Sequence, residues 1–135
     1  MTAAYVLDGT RIRTLEDFWQ VLMEAFDGPG RHHFGRNLDA LADCLSGGPG
    51  APDTDDYMVE WRDHQVSREY LGYPETVRQL EIRWARCHPT GRPAVGADLA
   101  AAREGRGRTV FDWLVEIFEE RAPGVLRLPC AATAR

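Results

Sequence analysis

Residues 33–45 read His33-Phe34-Gly35-Arg36-Asn37-Leu38-Asp39-Ala40-Leu41-Ala42-Asp43-Cys44-Leu45. Leu38, Leu41 and Leu45 recur at helical spacing and form an apolar stripe that needs a core to cover it. Asp39, Ala42, Asp43 and Ser46 fall at i, i+3, i+4 and i+7 and form a second stripe. Asn37 suits the N-cap of this helix, and Asp39 then lies in the first turn, where the helix dipole favours an anion. Two carboxylates on one helix face, beside the rings of His33 and Phe34, make a surface suited to a cationic partner.

The neighbouring segments place this helix in an α/β frame. Tyr5-Val6-Leu7 is a short strand stopped by Asp8-Gly9. Thr14, with Asp17 three residues on, starts a first helix whose Leu15, Phe18, Leu22 and Phe26 face inward, and Asp27-Gly28-Pro29-Gly30 ends it. Residues 31–36 are a loop into the helix quoted above. A Gly-, Pro- and Asp-rich loop, 47–56, leads to Tyr57-Met58-Val59 with Trp61, a buried strand that runs into a polar helix over about 62–70. Pro74 opens a further helix with Val77, Leu80, Trp84 and Cys87 on one face. Residues 89–96 read as a linker and 97–104 as a short helix. Thr109 caps a last helix facing inward through Phe111, Leu114, Val115 and Phe118, with Trp113 and Ile117 on a second stripe. Val125–Leu128 is a final strand, and Pro129–Arg135 a loose tail. Strands separated by helices imply a small three-stranded parallel sheet packed by helices.

Composition narrows the function classes. The 135 residues suit one domain, 1–135, with a real core. No run is long enough to span a bilayer, and the N-terminus shows no secretory pattern. The three cysteines, Cys44, Cys87 and Cys130, are odd in number and far apart, so they form neither a disulfide framework nor a zinc spacing. These features point to the cytoplasm. All 16 basic residues are arginine, a coding bias without functional weight. The net charge of −5 is uneven: residues 1–70 hold 13 acids against 6 arginines, and residues 71–135 hold 8 against 10. The acidic half disfavours nucleic acid and suits a basic protein, although a solvated acidic exterior has the same composition.

Other chemistries find less support. Asp39 and Asp43 on a convex helix offer no desolvated cleft in which to split an acid–base pair. His32-His33 and Cys87-His88 lack a third metal ligand at a recognisable spacing. Cys44 beside the leucine stripe reads as a core thiol. Trp61, Trp84 and Trp113 read as core. Phe34 fits core and rim equally. No phosphate-binding glycine fingerprint follows the Tyr5–Leu7 strand, so neither an enzyme nor a cofactor or metal is expected.

The chain resembles the barstar family, intracellular inhibitors of the secreted ribonuclease barnase. Tyr5–Leu22, with Gly9, Ile12-Arg13-Thr14 and Asp17, is similar to the family's first strand, turn and helix. Phe34-Gly35, Asn37-Leu38-Asp39-Ala40-Leu41 and Asp43-Cys44-Leu45 resemble its hallmark loop and binding helix. Val59-Glu60-Trp61-Arg62 resembles its second strand, and Thr109–Phe118 and Val125–Leu128 resemble, more weakly, its last helix and strand. The resemblance implies a non-enzymatic antitoxin or immunity protein, monomeric when free. Its helix and preceding loop would plug the active site of a basic secreted ribonuclease or related toxin. Asp39 and Asp43 would carry the acidic contacts, surrounded by His33, Phe34, Asn37, Leu38, Ala42, Ser46 and Gly47. The chain departs from the family in five ways. His33 stands for a tyrosine, Arg36 for an acid and Ala42 for a tryptophan, and Arg108 falls where an acid is expected. Residues 72–107 have no counterpart in the short barstar and add helices. The lost tryptophan at Ala42 and the extra helices favour an alternative, a barstar-like interaction module with a target that is not a ribonuclease.

Overall fold

The computed structural model describes residues 2–28 and 30–129. Pro29 of the expected turn, and the expected tail beyond Pro129 with Cys130, lie outside the described residues. The elements run β1 (Ala3–Asp8), α1 (Leu15–Phe26), α2 (Leu38–Leu45), β2 (Tyr57–Arg62), α3 (His64–Tyr70), α4 (Tyr73–Arg86), α5 (Arg92–Arg103), α6 (Val110–Arg121) and β3 (Leu126–Arg127). Single 3₁₀ turns stand at Gly9–Arg11, Arg31–His33 and Pro89–Gly91. The fold is α/β, with a three-stranded parallel sheet in the order β1-β2-β3.

β2 is the central strand and places Val59 and Trp61 in the core, both fully buried. Leu7 of β1 joins them, while Ala4 and Val6 on its other face are exposed. Helix faces close over the buried side: Phe18, Trp19 and Leu22 from α1, Leu41 and Leu45 from α2, and Phe111, Leu114 and Phe118 from α6. Two capping boxes fix the starts of α1 and α6. The Thr14 hydroxyl accepts from the Asp17 N–H at 3.1 Å while the Asp17 carboxylate accepts from the Thr14 N–H at 3.2 Å. Thr109 and Asp112 repeat the arrangement. Near the centre, Trp61 Nε1 donates to Ser67 Oγ at 2.9 Å, and that hydroxyl donates to the Gly9 carbonyl at 2.8 Å. Gly9 is required there, because a Cβ would stand 2.3 Å from the Arg62 carbonyl oxygen.

Several boundaries differ from the sequence reading. The expected linker 89–96 is mostly helix, since α5 already begins at Arg92. Pro93 lies in the first turn of α5, where no backbone donor is needed. Pro74 likewise sits second in α4, after Tyr73. Arg62 ends β2 rather than opening α3, because Asp63 turns the chain with φ 51°. β3 is only two residues long. Trp61 is core, as expected, but Trp84 is 39% exposed. Its indole lies against Gly96 of α5 and under the Arg92 guanidinium, 5.3 Å from the ring centre.

α4 and α5 form a helical hairpin with its own small core of Leu80, Leu99 and Ala102. Trp113 of α6 packs against both this cluster and the main core and so joins them. A second tie is polar. The buried Glu75 carboxylate accepts from the Leu15 N–H at the start of α1, at 2.9 Å, and from Arg78 and Gln79 of its own helix. A third is the Thr76 hydroxyl, which accepts from the Val110 N–H opening α6 at 2.9 Å. No helix among the described residues is long and apolar enough to cross a membrane.

Candidate functional site

The loop before α2 is held by a ring and a cap. Phe34 is 6% exposed and meets Trp19 edge-on, with ring centres 5.6 Å apart. The sequence left Phe34 between core and rim, and the ring lies in the core. It anchors the loop, and His33 is exposed at the end of a 3₁₀ turn. Arg36 then takes a left-handed conformation, φ 56°, rare for a non-glycine residue. Asn37 ends the loop. Its Oδ1 accepts from the Ala40 N–H at 2.7 Å, and its Nδ2 donates to the Gly35 carbonyl at 3.2 Å. One side chain thus starts the helix and closes the loop onto it.

α2 is fixed from behind by Leu41, Cys44 and Leu45, all buried. Burial pushes the Cys44 thiol up to about 11, so it stays protonated and inert near neutral pH. The helix closes with Gly47 at φ 99°, and the Asp43 carbonyl accepts from the Gly48 N–H at 2.7 Å.

On this short rod Asp39 and Asp43 stand one turn apart, and both are exposed. Among the described residues neither forms an ion pair. His33, Phe34, Asn37, Asp39 and Asp43 border one shallow depression of about 360 Å³, which also takes in Pro49. The remaining sequence candidates lie around it. Leu38 is half-buried and faces a groove toward α4. Ala42 is half-buried between the two acids along the helix. Ser46 and Gly47 are exposed but border a different hollow, on the side of Tyr57 and Arg121. The site therefore has a compact anionic centre, and two of its expected members flank another surface. Asp39 and Asp43 can accept charge-assisted hydrogen bonds from guanidinium or ammonium groups, the contacts a phosphate makes.

Two cations expected to weaken the site behave differently. Arg108 is bound to Glu116 at 2.7 Å, so its charge is locally balanced. Arg36 has no ion-pair partner among the described residues and borders the groove that Asp39 also borders, together with Arg83 and Arg86 of α4. Sequence reading had no signal for that neighbourhood, because only packing brings α4 beside α2.

The family model for barstar, the barnase inhibitor, matches residues 2–88. The matched span runs from β1 through the end of α4. It contains the anchored loop, the Asn37 cap and both exposed aspartates, and it takes in the first of the helices that the sequence reading set apart as extra. With that span and the parallel α/β sheet, the chain belongs to the barstar family.

Proposed function

We propose that this protein blocks the active site of a basic ribonuclease, using the acidic face of α2 and the loop before it. The observation that carries the reading is that Asp39 and Asp43, on a helix already capped and packed, form no ion pair among the described residues. Sites that cleave RNA gather cationic groups to stabilise a pentavalent phosphate. Two carboxylates at fixed spacing can fill phosphate positions in such a site. Because the helix is formed before binding, little ordering entropy opposes association. His33 and Asn37 flank the pair and help exclude water. The protein acts as a monomer in the cytoplasm, is neither an enzyme nor dependent on a cofactor, and protects the cell from its own or a neighbour's toxin.

The test is inhibition of RNA cleavage by purified barnase and by related basic ribonucleases, with growth rescue on co-expression as the cellular readout. One-to-one inhibition that weakens with salt is expected. Asp39→Ala and Asp43→Ala are each expected to weaken binding at least tenfold, since a charged hydrogen bond contributes about 1.5–3 kcal/mol. Unchanged inhibition in both variants would reject the site. A second reading keeps the surface and changes the target to a protein that is not a ribonuclease. It is favoured by Ala42, which leaves no large side chain between the two acids, and by Arg36, which borders the same groove as Asp39 and forms no ion pair among the described residues. Absence of inhibition across the ribonucleases, with Asp43-dependent capture of another basic protein, would select it.

A further inference from the structure

A groove of about 750 Å³ runs between α2 and α4 beside the acidic face. Its floor is apolar: Leu15 and Trp19 are buried there, and Leu38, Ile82 and Cys87 are half-buried. Its rim carries three exposed arginines, Arg36, Arg83 and Arg86. Arg83 is seated over the Trp113 ring, 5.2 Å from its centre, which restricts its motion. Among the described residues none of the three makes a salt bridge. Two acids also border the groove, and they differ. Glu16 is occupied by Arg78 and Gln79. Asp39 has no ion-pair partner among the described residues and continues the groove into the acidic face. The result is a cationic, apolar-floored channel that adjoins an anionic knob.

We propose that this groove receives an acidic, apolar-anchored segment of the protein partner whose basic site engages Asp39 and Asp43. The partner would thus carry carboxylates next to its cationic centre, and the two adjoining charges of opposite sign would fix its orientation. A polynucleotide fits the groove less well. Asp39 repels a polyanion at one wall, and Trp19 is only 3% exposed, so no aromatic platform is offered for base stacking. The inference takes the partner's basic site from the proposed function, but the groove's own chemistry is independent of it.

The probe is a fluorescein-labelled heptapeptide in which four glutamates alternate with leucine and phenylalanine, titrated against the full chain by fluorescence anisotropy. A glutamine version and an oligouridylate of ten nucleotides serve as comparisons. The glutamate peptide is expected to bind at least fivefold tighter than the glutamine peptide. Arg86→Glu is expected to weaken it at least fivefold, and Arg83→Glu with Arg86→Glu at least twentyfold, with urea midpoints verifying that the variants fold. Asp39→Ala is expected to strengthen peptide binding although it weakens ribonuclease binding. Equal affinity for the two peptides, indifference to Arg86→Glu and Arg36→Ala, or tighter Arg86-dependent binding of the oligouridylate would each overturn the proposal. Lost peptide binding with intact Asp43-dependent inhibition removes the groove alone. Retained peptide binding without ribonuclease inhibition removes the inhibitor reading alone.

Discussion

The acidic face of α2 and the α1–α4 junction use the same residue types in opposite ways. At the junction, Glu75 is 6% exposed and takes hydrogen bonds from the Leu15 N–H, Arg78 and Gln79. Arg78 bridges it to Glu16. Burial alone would raise the Glu16 carboxyl, but the hydrogen bonds from Arg78 and Gln79 outweigh it and hold the group below its usual range. On α2, Asp39 and Asp43 are exposed and form no ion pair among the described residues. Charge that has been paired and enclosed is costly to strip of its partner. Charge left unpaired on a rigid element does little for the fold and retains its capacity for a partner. The contrast separates carboxylates committed to the fold from carboxylates left available at the surface.

The largest effect that can break this comparison is at the junction. Glu75→Ala strips the Leu15 N–H and the Arg78 guanidinium of a buried acceptor. It is expected to lower the unfolding free energy by about 3 kcal/mol. Urea denaturation measures this, and a loss under about 1 kcal/mol would place Glu75 with the dispensable charges.

Acid offers a finer probe of the same clamp. Because the folded Glu16 carboxyl lies below its unfolded value, the unfolded chain binds its proton first as pH falls. Its contribution is therefore complete above the ordinary glutamate range near about 4.3 and fades as pH drops through the lower folded value. Thermal midpoints of wild type and Glu16→Gln should differ at neutral pH and converge in acid. A constant difference down to the acid limit would contradict the clamp. Half-exposure of Glu16 makes this effect smaller than that of Glu75.

The smallest effect is on α2 and carries the opposite sign. Asp43 sits in the last turn, where the helix dipole disfavours an anion, and aspartate is a poorer helix former than alanine. Asp43→Ala is expected to stabilise the free protein by about 0.5 kcal/mol, while weakening capture of the partner. A loss of stability by thermal denaturation would mean that Asp43 serves the fold.

Much of this was legible beforehand because it is local. The Thr14–Asp17 and Thr109–Asp112 boxes, the Asn37 cap and the apolar stripes of α1, α2 and α6 depend on residues within a turn or two of each other. The parallel sheet follows from strands separated by helices. The segment 89–96 reads as a linker, yet Arg92 already opens α5, because a Pro and Gly content does not by itself distinguish a loop from the first turn of a helix. Trp84 was assigned to the core from its spacing, yet spacing gives a face and not what covers it. Phe34 had no periodic context to decide it, and its contact with Trp19 did.

The sequence by itself determined the elements, the presence of two acids on one helical face and the family likeness, since these rest on short-range periodicity and capping chemistry. Only the tertiary structure decided that those acids find no ion-pair partner among the described residues, that Glu75 closes the start of α1, and that arginines of α4 border the same groove as Asp39. Those facts depend on which distant surfaces meet. That is set by how the buried faces of α1, α4 and α6 fit together, and no local pattern encodes it.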